Sequence, residues 1–377
     1  MFKKKIVYVT GSRAEYGVML TTLRLIQQNP YLELVLIVTG MHLSKKYGNT
    51  VKGIKMDNFT IGASVNLHLE TANNVEMAIS LGHCLIGIAK AFNKIKPDIV
   101  LIQGDRGEML AAAIAAAHMN IPVIHVSGGD ISGSIDNSIR KAISNFSHYH
   151  LADNEENSKR LIKTGEESWR VKTIGSPGLN INKKELYSLN QINSRLEFKI
   201  KKPLVIVLQH PVTTESLNSK KQMKIILEAI IKIGNQSIVI YPNSDAGSFQ
   251  MIQIIKEYTK KFSFIHSFRS MSRKLFLSLL SVADLMIGNS SSGLFEAPLF
   301  CLPVINLGSR QFGRIKGNNV YDLDFDIDKI FKKSIELISK KREKIILPYE
   351  NIKTEEKIVE CLVSLDLNER LLNKHGY

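Results

Sequence analysis

The chain has 377 residues, of which 44% are hydrophobic and 23% charged, and its 50 Lys and Arg outnumber its 35 Asp and Glu to give a formal net charge of +15. This composition excludes a disordered, collagen-like or fibrous protein, and the length suits two domains that fold without disulfides or a structural metal. The three cysteines are far apart and lack metal-ligand spacing, which fits a reducing compartment, so we expect a cytoplasmic protein.

The positive charge does not indicate a nucleic-acid-binding protein, because the lysines are scattered in twos and threes with no basic block interleaved with aromatic residues. We expect instead a basic surface that favours a small polyanion such as a nucleotide. No apolar run approaches the roughly 18–20 residues of a membrane span. The apolar run at residues 6–9 is too short for a secretion signal. The sequence therefore predicts neither nucleic acid nor membrane as a partner.

The first half of the chain alternates short β-branched runs with longer amphipathic stretches. Strands are predicted at residues 5–10, 32–39, 98–103 and 122–126, with a further strand at residues 148–150, and helices at residues 16–28, 75–94 and 108–119. Apolar strands separated by helices are typical of a parallel sheet that is covered on both faces. We therefore predict right-handed βαβ units.

The alternation stops at residues 176–202, where Pro, Gly, Asn and a Lys cluster indicate an interdomain linker. A second series then follows, with strands predicted at residues 203–208, 238–241, 262–265, 285–287 and 303–307, and a terminal helix at 354–372. The sequence thus predicts an α/β protein of two doubly wound domains, residues 1–178 and 179–377. Ligands of such domains bind at the carboxyl ends of the strands, in the cleft between the domains.

Polar residues follow the predicted strands in both halves of the chain. They lie at residues 10–16, 39–42, 104–106 and 127–130 in the first half, and at 209–211, 241–245, 288–293 and 308–310 in the second. Alone, each has a plain structural explanation, such as a turn with a surface ion pair or a buried histidine with its partners. Folding alone does not explain so many together, so we predict a functional site.

The loop at residues 288–293 indicates phosphate binding, because small residues there follow an apolar strand and precede a helix. No Lys follows its glycine and the spacing is not GxGxxG, so neither an NTPase nor a dinucleotide enzyme is predicted. Glu296 in the next helix suits a ribose diol, or alternatively complements the helix dipole. Arg310 could pair with a phosphate.

The first half supplies candidate acids and bases. They are Glu15, Asp105, Glu108, Asp130 and Asp136. A carboxylate-rich domain that faces a nucleotide-binding domain suggests acid–base chemistry on the group that the nucleotide carries. Any one of these acids could instead be a solvated loop residue. No grouping has convincing metal spacing, and no Gly-x-Ser-x-Gly elbow is present.

Taken in order, these motifs resemble the hydrolysing UDP-N-acetylglucosamine 2-epimerases of sialic-acid and related nonulosonic-acid (legionaminic-acid) synthesis. The matching segments are residues 11–17, 38–43, 47–50, 104–106, 128–140, 209–214, 242–247, 288–293 and 308–311. The resemblance implies a GT-B-like fold of two Rossmann-like domains, with the terminal helix packed back on the first. It also implies a homo-oligomer, dimer or tetramer, and a reaction on a UDP-sugar without a redox cofactor or a metal.

In the reaction that this resemblance implies, a base removes the C2 proton while UDP leaves C1, which gives a 2-acetamidoglycal. Water then adds, so that the products are UDP and a free sugar with C2 inverted. Asp105 and Asp136 match catalytic carboxylates of the family, and His210 matches a histidine of its catalytic cleft. Expected substrate contacts are Arg13, His42, Arg106, Ser127, Asn243, Ser290, Ser291, Glu296 and Arg310.

One segment departs from the family pattern. Many relatives have a glutamate on each side of a Gly-Gly pair, whereas this chain has Ser127 and Asp130. Because Ser127 cannot act as a carboxylate, Asp130 or a water held by Ser127 must take the role of the glutamate that relatives have at this position, or the substrate differs. Residues 107–110 look most like relatives that act on UDP-N,N′-diacetylbacillosamine.

Four hypotheses follow. The first is a hydrolysing 2-epimerase with UDP-N-acetylglucosamine as the default substrate and UDP-N,N′-diacetylbacillosamine as the second. A non-hydrolysing 2-epimerase would return a UDP-sugar, and a GT-B glycosyltransferase would need an acceptor. A nucleotide-sugar-binding protein that lost its catalytic set at Ser127 would bind UDP without turnover.

Overall fold

The computed structural model describes residues 3–67, 73–345 and 353–375. Its strands are Lys4–Thr10 (β1), Leu32–Thr39 (β2), Ile61–Val65 (β3), Ile99–Gln103 (β4), Val123–Val126 (β5), Tyr149–Ala152 (β6), Val171–Thr173 (β7), Leu204–Leu208 (β8), Gln236–Ile240 (β9), Ile265–Phe268 (β10), Leu285–Gly288 (β11), Val304–Leu307 (β12) and Val320–Leu323 (β13). Its α-helices are Arg13–Gln28 (α1), Val51–Met56 (α2), Asn74–Ile95 (α3), Gly107–His118 (α4), Ile135–Phe146 (α5), Glu155–Lys163 (α6), Leu189–Leu196 (α7), Ser219–Ile233 (α8), Ser248–Lys261 (α9), Arg273–Val282 (α10), Ser292–Phe295 (α11), Ile327–Ser339 (α12), Thr354–Ser364 (α13) and Glu369–Leu372 (α14).

The strands form two parallel sheets. The first has seven strands in the order β3-β2-β1-β4-β5-β6-β7, and the second has six in the order β10-β9-β8-β11-β12-β13. In both sheets the chain starts near the middle, builds one edge and then returns to build the other, as in Rossmann-like domains. The central strands are almost wholly buried, since helices cover both faces. The predicted α/β, GT-B-like fold is confirmed.

Most deviations from the predicted strands lie at sheet edges. Strand β10 occupies Ile265–Phe268 rather than residues 262–265, because α9 continues to Lys261 and the chain then turns. The edge strands β3, β7 and β13 were not predicted. The predicted linker also contains helix α7, whose Ile192 and Leu196 pack in the core of the second sheet.

The terminal segment consists of two helices rather than one, because the chain leaves α13 after Ser364 and begins α14 at Glu369 with Asn368 as its cap. Helix α13 packs on the first sheet, where its Ile358 and Leu362 are fully buried in the same core as Met19 and Leu23 of α1. A chain that crosses twice between the sheets ties the two units together. The exact boundary between residues 178 and 179 stays a prediction.

Helix α3 is the one helix among the described residues that is long and apolar enough to cross a membrane, with a mean hydropathy of 1.4 over its most apolar window, of which 28% is buried. Its Cys84, Ile88 and Phe92 are fully buried in a core shared with the alanine-rich helix α4. One such helix is weak evidence for a membrane span, because core helices also reach this length and hydropathy.

Candidate active site

All but two of the side chains predicted for the site, His42 and Glu108, line a single cleft between the carboxyl ends of the two sheets. The others are Arg13, Glu15, Asp105, Arg106, Ser127, Asp130, Asp136, His210, Asn243, Ser290, Ser291, Glu296 and Arg310. The loops after β1, β4 and β5 and the start of α5 supply those of the first half, and the loops after β8, β9, β11 and β12 supply those of the second. Their individual roles remain predictions.

Asp105 follows β4 and is held by arginines from both halves of the chain. Arg140 of α5 donates a short hydrogen bond to its Oδ2, and Arg314, in the loop after β12, lies 3.5 Å from the same atom. Burial alone would raise the pKa of Asp105, but the charges of Arg140, Arg314 and Arg310 outweigh it and bring the pKa to about 2. Asp105 is therefore a carboxylate at neutral pH.

Arg314 also reaches the loop after β5, where its Nε lies 2.9 Å from Oδ2 of Asp130. The main-chain oxygen of Asp130 in turn accepts a hydrogen bond from Nη1 of Arg140 at 2.9 Å. A guanidinium from the second sheet thus joins two acids of the first. Arg314 was not predicted from the sequence, although it stands only four residues after the predicted Arg310 in the same loop.

A second ion pair crosses the cleft between two residues that the sequence analysis placed in different roles. Nη2 of Arg310, expected to bind phosphate, lies 3.1 Å from Oδ2 of Asp136, expected to be catalytic. Nη1 of Arg310 also donates to the main-chain oxygen of Asn289 at 3.2 Å. Because a pyrophosphate carries more negative charge than one carboxylate, it would compete with Asp136 for this guanidinium.

His210 follows β8 and is held in one tautomer. Asn289 fixes its backbone by accepting from the His210 N–H at 2.7 Å and donating to the His210 oxygen at 2.9 Å. The Asn243 N–H donates to Nδ1 of His210 at 3.0 Å, so Nε2 carries the proton of the neutral ring. Burial, with the charges of Arg310 and Arg106, holds the pKa of His210 well below its usual range. His210 is therefore a neutral hydrogen-bond donor.

The loop after β11 approaches the neighbouring strand so closely that Gly288 is required. Its φ is +137°, and a Cβ at this position would lie 2.1 Å from the main-chain oxygen of Leu208. The hydroxyls of Ser290 and Ser292 lie 2.8 Å apart in the loop. The helix predicted to follow is short: α11 has four residues and continues as a 3₁₀ turn, Ala297–Phe300.

Two further predicted residues have defined partners in the structure. Glu296 accepts from Nη1 of Arg273 at 2.9 Å, and Nη2 of this arginine donates to the main-chain oxygen of Gly178 at 2.6 Å. Arg106 lies 3.2 Å from Oε2 of Glu108 and donates to the Ser244 hydroxyl at 3.1 Å, which adds another link between the halves. Both side chains are therefore oriented before any ligand binds.

His42 is one of the two exceptions, because it does not line the cleft. Its ring is fully buried, with Nε2 2.9 Å from the Thr10 hydroxyl and Nδ1 2.7 Å from the Thr50 hydroxyl. Burial and the charge of Arg13 lower the pKa of His42 to about 3. In this structure a neutral His42 supports the loop after β1 from behind, and the structure gives no support for its predicted substrate contact.

Two further cleft residues that were not predicted follow strands of the first sheet, Asp153 after β6 and Ser176 after β7. Asp153 is 4% exposed, and burial raises its pKa to about 7, a rise that the hydroxyl of Ser127 opposes and the charge of Asp130 increases. The signal for Asp153 in the sequence was its place as an acidic residue directly after a strand. Among the described residues, no group of three or more His, Cys, Asp or Glu could hold a metal ion.

Two Rossmann-like sheets that enclose a cleft with carboxylates on one side and arginines, serines and a neutral histidine on the other define an enzyme of nucleotide-sugar chemistry with the GT-B-like fold. A model of the family described as UDP-N-acetylglucosamine 2-epimerase matches residues 24–363. The chain therefore belongs to the UDP-N-acetylglucosamine 2-epimerase family, which confirms the resemblance seen in its motifs.

Two relatives support this assignment, and a solved structure supports the fold. The chain is 40% identical over 372 residues to the UDP-N,N′-diacetylbacillosamine 2-epimerase (hydrolyzing) of Legionella pneumophila, covering 98% of each chain. It is 36% identical over 338 residues to the GDP/UDP-N,N′-diacetylbacillosamine 2-epimerase (hydrolyzing) of Campylobacter jejuni, covering 88% of each. In fold it is similar to the UDP-GlcNAc 2-epimerase of Methanocaldococcus jannaschii, solved with UDP-GlcNAc and UDP, with a TM-score of 0.79, 22% identity and coverage of 95% and 99%.

Proposed function

We propose that the enzyme is a hydrolysing 2-epimerase that converts a UDP-2-acetamido sugar to UDP and the free sugar with C2 inverted. The observation that carries this proposal is the cleft itself, where the carboxylate Asp105 faces the candidate phosphate ligands His210, Ser290 and Arg310. A base next to a phosphate site is the arrangement that elimination of UDP from a sugar requires, because one bond breaks at C2 and the other at C1.

In the first step Asp105 removes the C2 proton while the C1–O bond breaks and UDP takes its electron pair, and Asp105 releases this proton to solvent before the next turnover. A C2–H beside an acetamido group is a poor acid, so the two events must occur together. Asp105 is a weak base in the free enzyme, since neighbouring arginines bring its pKa to about 2. Bound pyrophosphate would neutralise the charges of Arg310 and Arg314 and so raise the pKa of Asp105, which strengthens the base when substrate is present.

The second sheet stabilises the leaving group. Arg310 and the Nε2–H of His210 donate to the departing phosphate, and the hydroxyls of Ser290 and Ser291 add further donors. Glu296, oriented by Arg273, accepts hydrogen bonds from the ribose hydroxyls. Because donors fixed before the reaction need no reorganisation as charge develops, they lower the barrier to UDP departure.

In the second step, water adds its oxygen to C1 and a proton reaches C2 on the face opposite to the one that lost it. Hydrolysis, rather than return of a UDP-sugar, is favoured by the two relatives whose names include the word hydrolyzing. The same relatives favour UDP-N,N′-diacetylbacillosamine over UDP-N-acetylglucosamine as the substrate. The free sugar would then serve nonulosonic-acid synthesis of the sialic or legionaminic type, and the free cysteines suit a cytoplasmic location.

The experiment is to incubate the purified enzyme with each of the two UDP-sugars, without an acceptor, and to identify the products by chromatography and proton NMR. We expect equal amounts of UDP and of the free manno-configured sugar, formed faster from UDP-N,N′-diacetylbacillosamine. A returned UDP-sugar would indicate the non-hydrolysing reaction, and turnover only with an added acceptor would indicate a glycosyltransferase. Binding of UDP without turnover of either donor would contradict the proposal.

A further inference from the structure

Ser127 occupies a strained position at the end of β5. Its φ of +66° lies in the left-handed region that non-glycine residues seldom adopt, and it lines the cleft. Its N–H donates to the main-chain oxygen of Leu151 on β6 at 2.9 Å, which places Ser127 beside the residues that follow β6. Backbone strain of this kind persists where the surroundings enforce it and is concentrated at functional sites.

Asp153 is the acid that this arrangement brings next to Ser127. Its side chain is 4% exposed and lines the cleft, and among the described residues its Oδ1 has no hydrogen-bond partner. The hydroxyls of Ser127 and Ser176 both lower the pKa of Asp153, because each stabilises its carboxylate form by hydrogen bonding. The Ser127 hydroxyl also accepts a hydrogen bond from Nε2 of Gln103 at 3.4 Å. A buried, incompletely satisfied carboxyl group is costly, so its retention in a reaction cleft calls for an explanation.

Asp153 differs from the other aspartates of the cleft in its partners. Asp105, Asp130 and Asp136 each form an ion pair with an arginine. An ion-paired carboxylate is a poor proton donor, because the partner favours its charged form. The structure records no ion pair of Asp153 with any described residue. The charged groups that face it are Asp130, from the loop after β5, and Arg314, from the loop after β12, and their effects on it are opposite.

The reaction needs a proton donor that Asp105 cannot provide. Inversion at C2 requires that one proton leaves one face of the sugar and another arrives on the opposite face. A single carboxylate on one face cannot do both unless the glycal turns over in the site. A second group that holds a proton near neutral pH is therefore required.

We propose that Asp153 is this donor and passes its proton through the hydroxyl of Ser127 to C2 of the glycal. This inference rests on the proposed hydrolysing function. Ser127 gives its own proton to C2 and takes the proton of Asp153. Water forms the new C1–O bond and releases a proton to solvent, from which Asp153 is protonated again. Asp153 thus acts through Ser127, at the position where the family pattern often has a carboxylate.

Burial raises the pKa of Asp153 to about 7, so a substantial fraction of it is protonated at neutral pH. A step that uses protonated Asp153 slows as the pH rises above this value. The Ser176 hydroxyl lowers the pKa of Asp153, because it stabilises the carboxylate. Removing that hydroxyl therefore raises the pKa and moves the alkaline limb of the rate profile to higher pH.

The test compares the wild-type enzyme with Asp153→Asn and Ser127→Ala, following UDP and sugar by proton NMR. Asparagine keeps the shape of the side chain but cannot transfer a proton. We expect Asp153→Asn to release UDP and accumulate 2-acetamidoglycal, while formation of free sugar falls at least ~100-fold and loses its alkaline limb. Ser127→Ala should also accumulate 2-acetamidoglycal and form free sugar at a similarly reduced rate. The double variant should form free sugar no more slowly than either single variant, as expected for two groups that act in one proton relay.

Ser176→Ala is the matched control, because it removes the other hydroxyl that faces Asp153 but leaves the path through Ser127 intact. It should form free sugar and shift the alkaline limb to higher pH, a change that a merely structural role of Asp153 would not produce. If Asp153→Asn does not fold, Ser127→Ala and Ser176→Ala carry the test.

Wild-type rates in Asp153→Asn, loss of both products without glycal, or an unmoved limb in Ser176→Ala would overturn the inference. An inactive wild-type enzyme would instead contradict the proposed function.

Discussion

The cleft has two neighbouring regions that differ in what surrounds the aspartates. We name them the arginine end, which comprises Asp105, Asp130, Asp136, Arg140, Arg310 and Arg314, and the serine end, which comprises Asp153, Ser127 and Ser176. Burial raises the pKa of the acid at both ends, yet Asp105 has a pKa of about 2 and Asp153 a pKa of about 7. The difference teaches that charged partners, not depth alone, decide which acid is a carboxylate and which holds a proton.

The two ends suit the two steps of the proposed reaction. Elimination of UDP uses a carboxylate and positive charge on the phosphates, and both are found at the arginine end. Addition of water uses a group that gives a proton, and the serine end can supply one. The following variants change one end at a time, so that each effect can be assigned to one end.

Asp105→Asn should have the largest effect, because it removes the proposed base and leaves Arg140 and Arg314 facing a neutral amide. We expect UDP release to fall by roughly 10²–10⁴-fold, the usual contribution of a positioned base. The measurement is the initial rate of UDP release at saturating substrate, with circular dichroism as the control for folding. A rate within tenfold of wild type would contradict the role assigned to Asp105.

Arg310→Ala should have an intermediate effect on binding. The guanidinium proposed to contact phosphate is lost, and a hydrogen bond to a charged group contributes about 1.5–3 kcal/mol, so UDP should bind roughly 10–100-fold more weakly. Isothermal titration with UDP measures this change. Arg24→Ala is the matched control, because this arginine pairs with Asp57 at 3.0 Å and does not line the cleft. Equal affinity in the two variants would exclude Arg310 as a phosphate ligand.

The smallest expected effect concerns the serine end, and it is the effect of Asp153→Asn on the stability of the protein. The pKa of Asp153 is raised to about 7 in the folded state, from the ordinary value of 3.8 for an aspartate. The folded protein therefore binds this proton more tightly than the unfolded chain. The resulting stability is complete below about pH 4 and is lost as the pH rises through 7.

Asparagine does not titrate, so the melting temperature of Asp153→Asn should exceed that of wild type by a few degrees at pH 8 and not at pH 4. The difference between these two pKa values sets the upper limit of the effect on the free energy of unfolding at about 4 kcal/mol. Thermal melts at the two pH values give the result. The same difference from wild type at both pH values would mean that Asp153 is not protonated in the folded state.

The sequence predicted the centres of both sheets better than their edges. Residues 32–39 were predicted as a strand and form β2, because a buried central strand is apolar on both faces. The misplaced or missed strands β3, β7, β10 and β13 all lie at sheet edges. An edge strand has only one neighbour and part of it meets solvent, so its sequence is mixed, as in Ile61–Val65 with only Val65 buried.

The residues of the cleft were also predicted best where they follow the central strands of the two sheets. Residues directly after central strands converge in any parallel sheet, and this rule placed Asp105, His210 and Arg310 in one cleft. It could not show that the His42 ring is buried between the hydroxyls of Thr10 and Thr50 and does not line the cleft, because the surroundings of a side chain depend on local packing. Nor could it show that Arg314 would reach across to Asp105 and Asp130, because this pairing depends on how the two sheets face each other.

The most direct test of the whole account is one wild-type reaction in deuterated water, in which proton NMR follows C2 of the released sugar together with free UDP. The account predicts one UDP per free sugar, inverted configuration and deuterium at C2 of every product molecule, because the new proton comes from groups in exchange with solvent. Protium retained at C2, or UDP released with the configuration at C2 unchanged, would contradict it.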